Sequence, residues 1–174
     1  MGTNKWTSGS AAEWLAAPVT MRWKRVFPGR FDQVGAARHF ATTLFDGTGC
    51  VEEVGIVVGE LASNAVRHTY SGAGETGGKP GWFGLEVVRA NPARVAVTDM
   101  GSGEALWRVP TVRRQLLPGE RDDADSGRGL MLVSRTALTL GVYGSPLVGH
   151  TVWADLELGS DIDAWPPPGH LRAV

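Results

Sequence analysis

The stretch VGIVVGELASNAVRH sets Glu60 and Asn64 four residues apart. In a helix that spacing is one turn, so both side chains leave the same face. A carboxylate placed there can take a proton, and a carboxamide oxygen can ligate a hard cation such as Mg2+. Further on, VTDMGSGE puts Asp99 at the end of a strand-like run, followed by Gly101 and Gly103. An ionised Asp at a buried strand end can accept a hydrogen bond from an exocyclic amino group such as adenine N6. Glycines beside it let the backbone approach a flat ring. In DSGRGLMLV, Gly127 and Gly129 flank Arg128 at the mouth of a short helix that continues through Leu130. Backbone N–H groups at such a mouth, with the helix dipole behind them, suit phosphate oxygens. GHTVWADL places Thr151 on a late strand, where its hydroxyl can support a base directly or through water. Together these residues have the chemistry of a nucleotide site.

Elements must hold these side chains in place. Val54, Val57, Val58, Leu61 and Ala65 form an apolar stripe at helical spacing, predicting a helix from about Val51 to His68. Glu60 and Asn64 fall at the edge of that stripe, where they can point into a cleft. An earlier helix starts at Phe31, with Val34, Ala41, Leu44 and Phe45 on its apolar positions, and ends near Asp46-Gly47. RWKRVFP, from Arg22 to Pro28, alternates loosely and stops at Pro-Gly, as an edge strand does. WFGLEVVRA and ARVAVTD flank Asn91-Pro92 as a hairpin, and TALTLGVYG and HTVWADLEL form another around Ser145-Pro146. A short helix is expected over Gly129 to Ala137. Residues 104–126 show no sustained period and read as a lid. Strands in hairpin pairs exclude a doubly wound parallel sheet. The order predicts an α+β two-layer sandwich, its sheet mixed but mostly antiparallel and its helices on one face. The domain expectation is a flexible segment over 1–20, one nucleotide-binding domain over 21–159 and a Pro-rich tail over 160–174.

Bulk composition narrows the function further. The 174 residues suit one domain with a substantial core. With 17 Lys+Arg against 18 Asp+Glu there is no basic excess to suggest direct nucleic-acid binding. The single cysteine, Cys50, fits a reducing compartment and reads as a small buried or half-buried residue near a helix start. Neither a signal peptide nor a membrane-spanning run is evident, so a soluble cytoplasmic protein with no membrane contact is expected. His, Cys and carboxylates lack zinc-ligand spacing. Taken singly, each motif has a blander reading: Glu60 and Asn64 a solvated pair, Asp99-Met-Gly a turn, Gly127 and Gly129 a hinge. Four motifs in order reverse those odds.

These residues, in this order, resemble the GHKL superfamily of ATP-binding domains, the Bergerat fold. Its four boxes map onto Glu60/Asn64, Asp99-Gly101-Gly103, Gly127-Gly129 and Gly149/Thr151. ELASNAVRH, GRGLMLV and GHTVWADL look most like the bacterial anti-sigma-factor serine/threonine kinases, over roughly Arg22 to Leu158. That resemblance implies ATP and Mg2+ as ligands, a sigma factor as the sequestered partner, and an anti-anti-sigma (STAS-type) antagonist phosphorylated on Ser or Thr. It implies that Glu60 is the catalytic base, Asn64 holds Mg2+, and Asp99 reads adenine. Gly127 and Gly129, with Arg128 and Leu130 beside them, would cradle phosphates under the lid. The lid lacks a lysine, and Arg108, Arg113, Arg114, Arg121 and Arg128 could supply positive charge to the phosphates in its place. A homodimer is compatible with the resemblance. A histidine kinase is disfavoured, since no helical segment with a phosphoacceptor histidine precedes the domain. The alternative reading is an ATP-binding regulatory module without kinase turnover, and a third is a scaffold that no longer holds nucleotide.

Overall fold

The computed structural model describes residues 21–72, 79–102 and 128–159. Strand β1 (Met21–Pro28) leads into helices α1 (Phe31–Leu44) and α2 (Val51–His68). The hairpin β2 (Trp82–Arg89) and β3 (Ala93–Thr98) follows, turning through a cis Asn91–Pro92 bond. Helix α3 (Arg128–Thr136) then precedes the second hairpin, β4 (Thr139–Ser145) and β5 (Gly149–Leu156). The strands lie side by side as β1-β2-β3-β5-β4, and every neighbouring pair is antiparallel. The sheet was expected to be mostly antiparallel; in the described residues it is wholly so. The proposed lid and both terminal segments lie outside the described residues.

Two periodicities build one core. Alternation along the strands puts Phe83, Leu85 and Val87 of β2, Val95 and Val97 of β3, and Ala154 and Leu156 of β5 on one face, all buried. The α2 stripe meets that face, with Val54, Val57, Val58, Leu61, Ala62, Ala65 and Val66 buried. Burying each such Val or Leu side chain stabilises the fold by about 1.5–3 kcal/mol. Glu52 and Glu53 in the first turn of α2, and Arg67 and His68 in the last, complement its dipole. Helix α1 adds Ala37 and Ala41 to the core, with Phe45 just beyond its end. Phe31, which opens α1, is exposed and lies under the Arg67 guanidinium.

The opposite face of the sheet carries Arg22, Lys24, Glu86, Arg94, Trp153 and Tyr143, as the other parity of each strand requires. Among the described residues the helices therefore cover one face only. Among the described residues no helix is long and apolar enough to cross a membrane.

Candidate functional site

Helix α2 holds Glu60 and Asn64 at the half-buried edge of its core-facing stripe. Helix α3 packs beside α2, and Gly129 in its first turn faces Glu60. A Cβ at Gly129 would meet the Glu60 carboxylate, the end of a flexible side chain that would have to swing aside. Leu130, 8 % exposed, belongs to the core and anchors the start of α3. Glu60 and Gly129 are thus brought together although they come from different motifs.

Asp99 sits just past β3, buried to 7 % exposure. Its Oδ1 accepts the backbone N–H of Gly101 at 2.7 Å and that of His150 at 3.0 Å. These bonds fix the carboxylate and leave Oδ2 without a partner among the described residues. Two glycines make the approach of the loops feasible. Gly101, at φ 74°, lies against the carbonyl of Pro146, and Gly149, at φ 105°, lies against the carbonyl of Asp99. Neither conformation nor space admits a side chain there. The Ser102 N–H donates to Pro146 O at 3.0 Å, joining the Asp99 loop to the β4–β5 turn.

The same loop is tied to the end of α2. The Tyr70 N–H donates to Gly101 O at 2.6 Å, and the Met100 N–H donates to Ser71 Oγ at 3.0 Å. The helix that carries Asn64 and the loop that carries Asp99 therefore share one hydrogen-bonded frame.

Thr151 is not brought to that frame. It pairs with Thr98 across β3 and β5, and the two hydroxyls lie 2.8 Å apart on the sheet face turned away from the helices. His150 is the residue of β5 that stands beside Asp99. The His150 Nδ1 lies 3.8 Å from Asp99 Oδ1, and the residue is 7 % exposed. The signal was present in GHTVWADL: Val152, Ala154 and Leu156 mark the helix-facing parity, and His150 shares it while Thr151 does not.

Gly103, Gly127, and Arg108, Arg113, Arg114 and Arg121 of the lid lie outside the described residues, as does the side chain of Arg128. Among the described residues no group of three or more His, Cys, Asp or Glu could hold a metal ion. Asn64 itself offers one half-buried carboxamide to a ligand.

A helix-borne carboxylate and carboxamide, a glycine-opened helix and an acid at a strand end, all on the helix side of an antiparallel sheet, define a GHKL-type ATP-binding domain. Over residues 27–154 the chain matches the histidine kinase-like ATPase domain family, and it belongs to that family. A comparison with curated proteins found no match.

Proposed function

We propose that the chain is a cytoplasmic anti-sigma factor with serine/threonine kinase activity, which phosphorylates a STAS-type antagonist from Mg-ATP. The observation that carries this reading is Glu60, a half-buried carboxylate one turn from Asn64 and pressed against the glycine that opens α3. A binding module has no need of a carboxylate at that point; a phosphotransferase does. In the reaction, the hydroxyl oxygen of the antagonist's Ser or Thr bonds to the γ-phosphorus of ATP. The bond from that phosphorus to the bridging oxygen breaks, ADP departs with the electron pair, and Glu60 takes the hydroxyl proton. Asn64 would hold Mg2+, whose charge offsets that of the phosphates. Asp99 would orient the adenine through N6, and the first turn of α3 would offer N–H groups to phosphate oxygens. Phosphoryl transfer asks mostly for such positioning and neutralisation, so a single small domain suffices.

Transfer of labelled phosphate from ATP to a purified STAS-type antagonist tests the proposal. Glu60→Gln should slow transfer by about 10²- to 10⁴-fold, the usual contribution of a positioned general base, while ATP binding stays close to wild type. Transfer by Glu60→Gln at the wild-type rate would remove Glu60 as the base. ATP binding with no transfer to any antagonist would leave an ATP-dependent interaction module.

A further inference from the structure

We propose that the open face of the sheet docks an acidic segment of a partner protein, one carboxylate of which enters a hollow over Ala96 between Arg22, Lys24 and Arg94. No described helix covers this face, and its residues are separate from the nucleotide site, which rests on α2, α3 and the Asp99 loop. Strand register makes the hollow. Lys24, Glu86, Ala96, Trp153 and Gly141 form one row across the five strands. A methyl group stands at the centre of that row with longer side chains around it. The result is a cavity of about 290 Å3 whose walls include Arg22, Lys24, Arg94, Tyr143 and Trp153. That volume is at the lower end for a small-molecule pocket, and the hollow opens to solvent, so it suits a side chain presented by a partner.

The heights of the charged groups decide what enters. The side chains of Arg22, Lys24 and Arg94 are 60 %, 68 % and 47 % exposed, whereas those of Glu86 and Asp155 are 27 % and 12 % exposed. The carboxylates are recessed and the cations stand above them. Arg22 and Lys24 share the one carboxylate of Glu86, at 3.2 and 2.9 Å. Arg94 gives Nε and Nη2 to Asp155, and its Nη1 bonds to no described residue. Three cations against two carboxylates leave one positive charge in excess. A second copy turned onto this face would set that excess against itself, so an acidic partner is the better complement. A nucleic acid needs several cations for its phosphates, which one local excess does not supply in a chain of net charge -1. Exposed Tyr143 and the indole of Trp153 add aromatic contact beside the charges, and tyrosine, tryptophan and arginine are the residues that anchor protein interfaces.

Nuclear magnetic resonance of the isotope-labelled full chain, titrated with two blocked peptides, tests the assignment. One peptide alternates glutamate with phenylalanine, and the other carries glutamine at each glutamate. The indole N–H resonance of Trp153, assigned by its loss in Trp153→Phe, reports the hollow. The acidic peptide should shift it saturably, and the glutamine peptide should bind at least about 10-fold more weakly, the lower value of a hydrogen bond to a charged group. Added salt should weaken the acidic peptide. Arg22→Gln combined with Lys24→Gln should lower its affinity by a similar factor. Ala96→Leu, which fills the hollow and leaves every charge in place, should lower it as well. An acidic peptide that leaves the resonance unmoved overturns the proposal, and so does equal binding of the two peptides; neither result needs a variant to fold. Affinity that folded Ala96→Leu keeps undiminished also overturns it. A chain that sediments as a dimer, and as a monomer once Ala96→Leu is introduced, would give the face to a second copy and sink the proposal.

Discussion

Asp99 shows how backbone geometry can fix the meaning of one side chain. Two N–H groups hold Oδ1, so an amide in its place must turn its own oxygen to them. Asp99→Asn then keeps the loop but presents an NH2 group where the adenine amino group needs an acceptor. A hydrogen bond to a charged group is worth about 1.5–3 kcal/mol, so calorimetry should find ATP bound about 10- to 200-fold more weakly by a variant with an unchanged circular dichroism spectrum. Cys50 has no such exposure to ligand. It is 2 % exposed, and burial pushes its thiol pKa up. The native protein should therefore react with a thiol reagent only as fast as it unfolds, and rapid stoichiometric labelling without denaturant would contradict this. Asp99 and Glu60 were legible in the sequence because glycines stand near the first and helical spacing brackets the second. The side of the sheet on which Thr151 and His150 fall is legible only through strand parity, which the apolar positions Val152, Ala154 and Leu156 set.

At the scale of elements, what is local in sequence was readable and what is long-range was not. The α2 stripe and both hairpins follow from period and turn chemistry. The insertion of β5 between β3 and β4 does not, since it depends on which distant strand offers a matching face. One device that holds this insertion is visible on the open side of the sheet. Trp153 of β5 lies over Gly141 of β4, leaving no room for a side chain there. The Arg94 guanidinium of β3 stacks on the indole at 4.2 Å and grips both oxygens of Asp155 at 2.6 and 2.8 Å, and Thr139 of β4 donates to Asp155 at 3.0 Å. Three strands are thereby joined. The guanidinium holds the Asp155 carboxyl below its usual range, with the Thr139 hydroxyl adding to the effect. A carboxyl so lowered contributes stability that is present above its unfolded-state pKa and is lost as pH falls through its folded value. Arg94 is 47 % exposed, so solvent screens the pair, and Asp155→Asn should cost only about 1 kcal/mol at neutral pH. Urea denaturation should show the difference from wild type shrinking as pH drops below about 4. A difference that stays constant into acid would show that packing, not charge, sustains it.

Taken whole, the molecule places its candidate site where segments far apart in sequence converge. The end of α2, the Asp99 loop and the β4–β5 turn meet there, tied by backbone and Ser71 hydrogen bonds, while the start of α3 packs against Glu60 further back along α2. A ligand that touches all four would act on the fold as a cross-link, since it binds only when they are assembled. Free ligand at 100 times its dissociation constant stabilises the native state by about 2.7 kcal/mol. In a chain of this length that corresponds to a rise of about 5–10 °C in Tm. Mg-ATP should give that shift in scanning calorimetry. At the same ATP concentration Asp99→Asn should retain about half of the stabilisation or less, because a 10-fold loss of affinity already lowers the saturation ratio to about 10. Glu60→Gln should keep nearly all of it, because its carboxylate is assigned to the transfer step and not to holding the nucleotide. Equal shifts in wild type and Asp99→Asn would place ATP elsewhere on the molecule. Loss of the shift in Glu60→Gln would move Glu60 from the chemistry to the binding of the nucleotide.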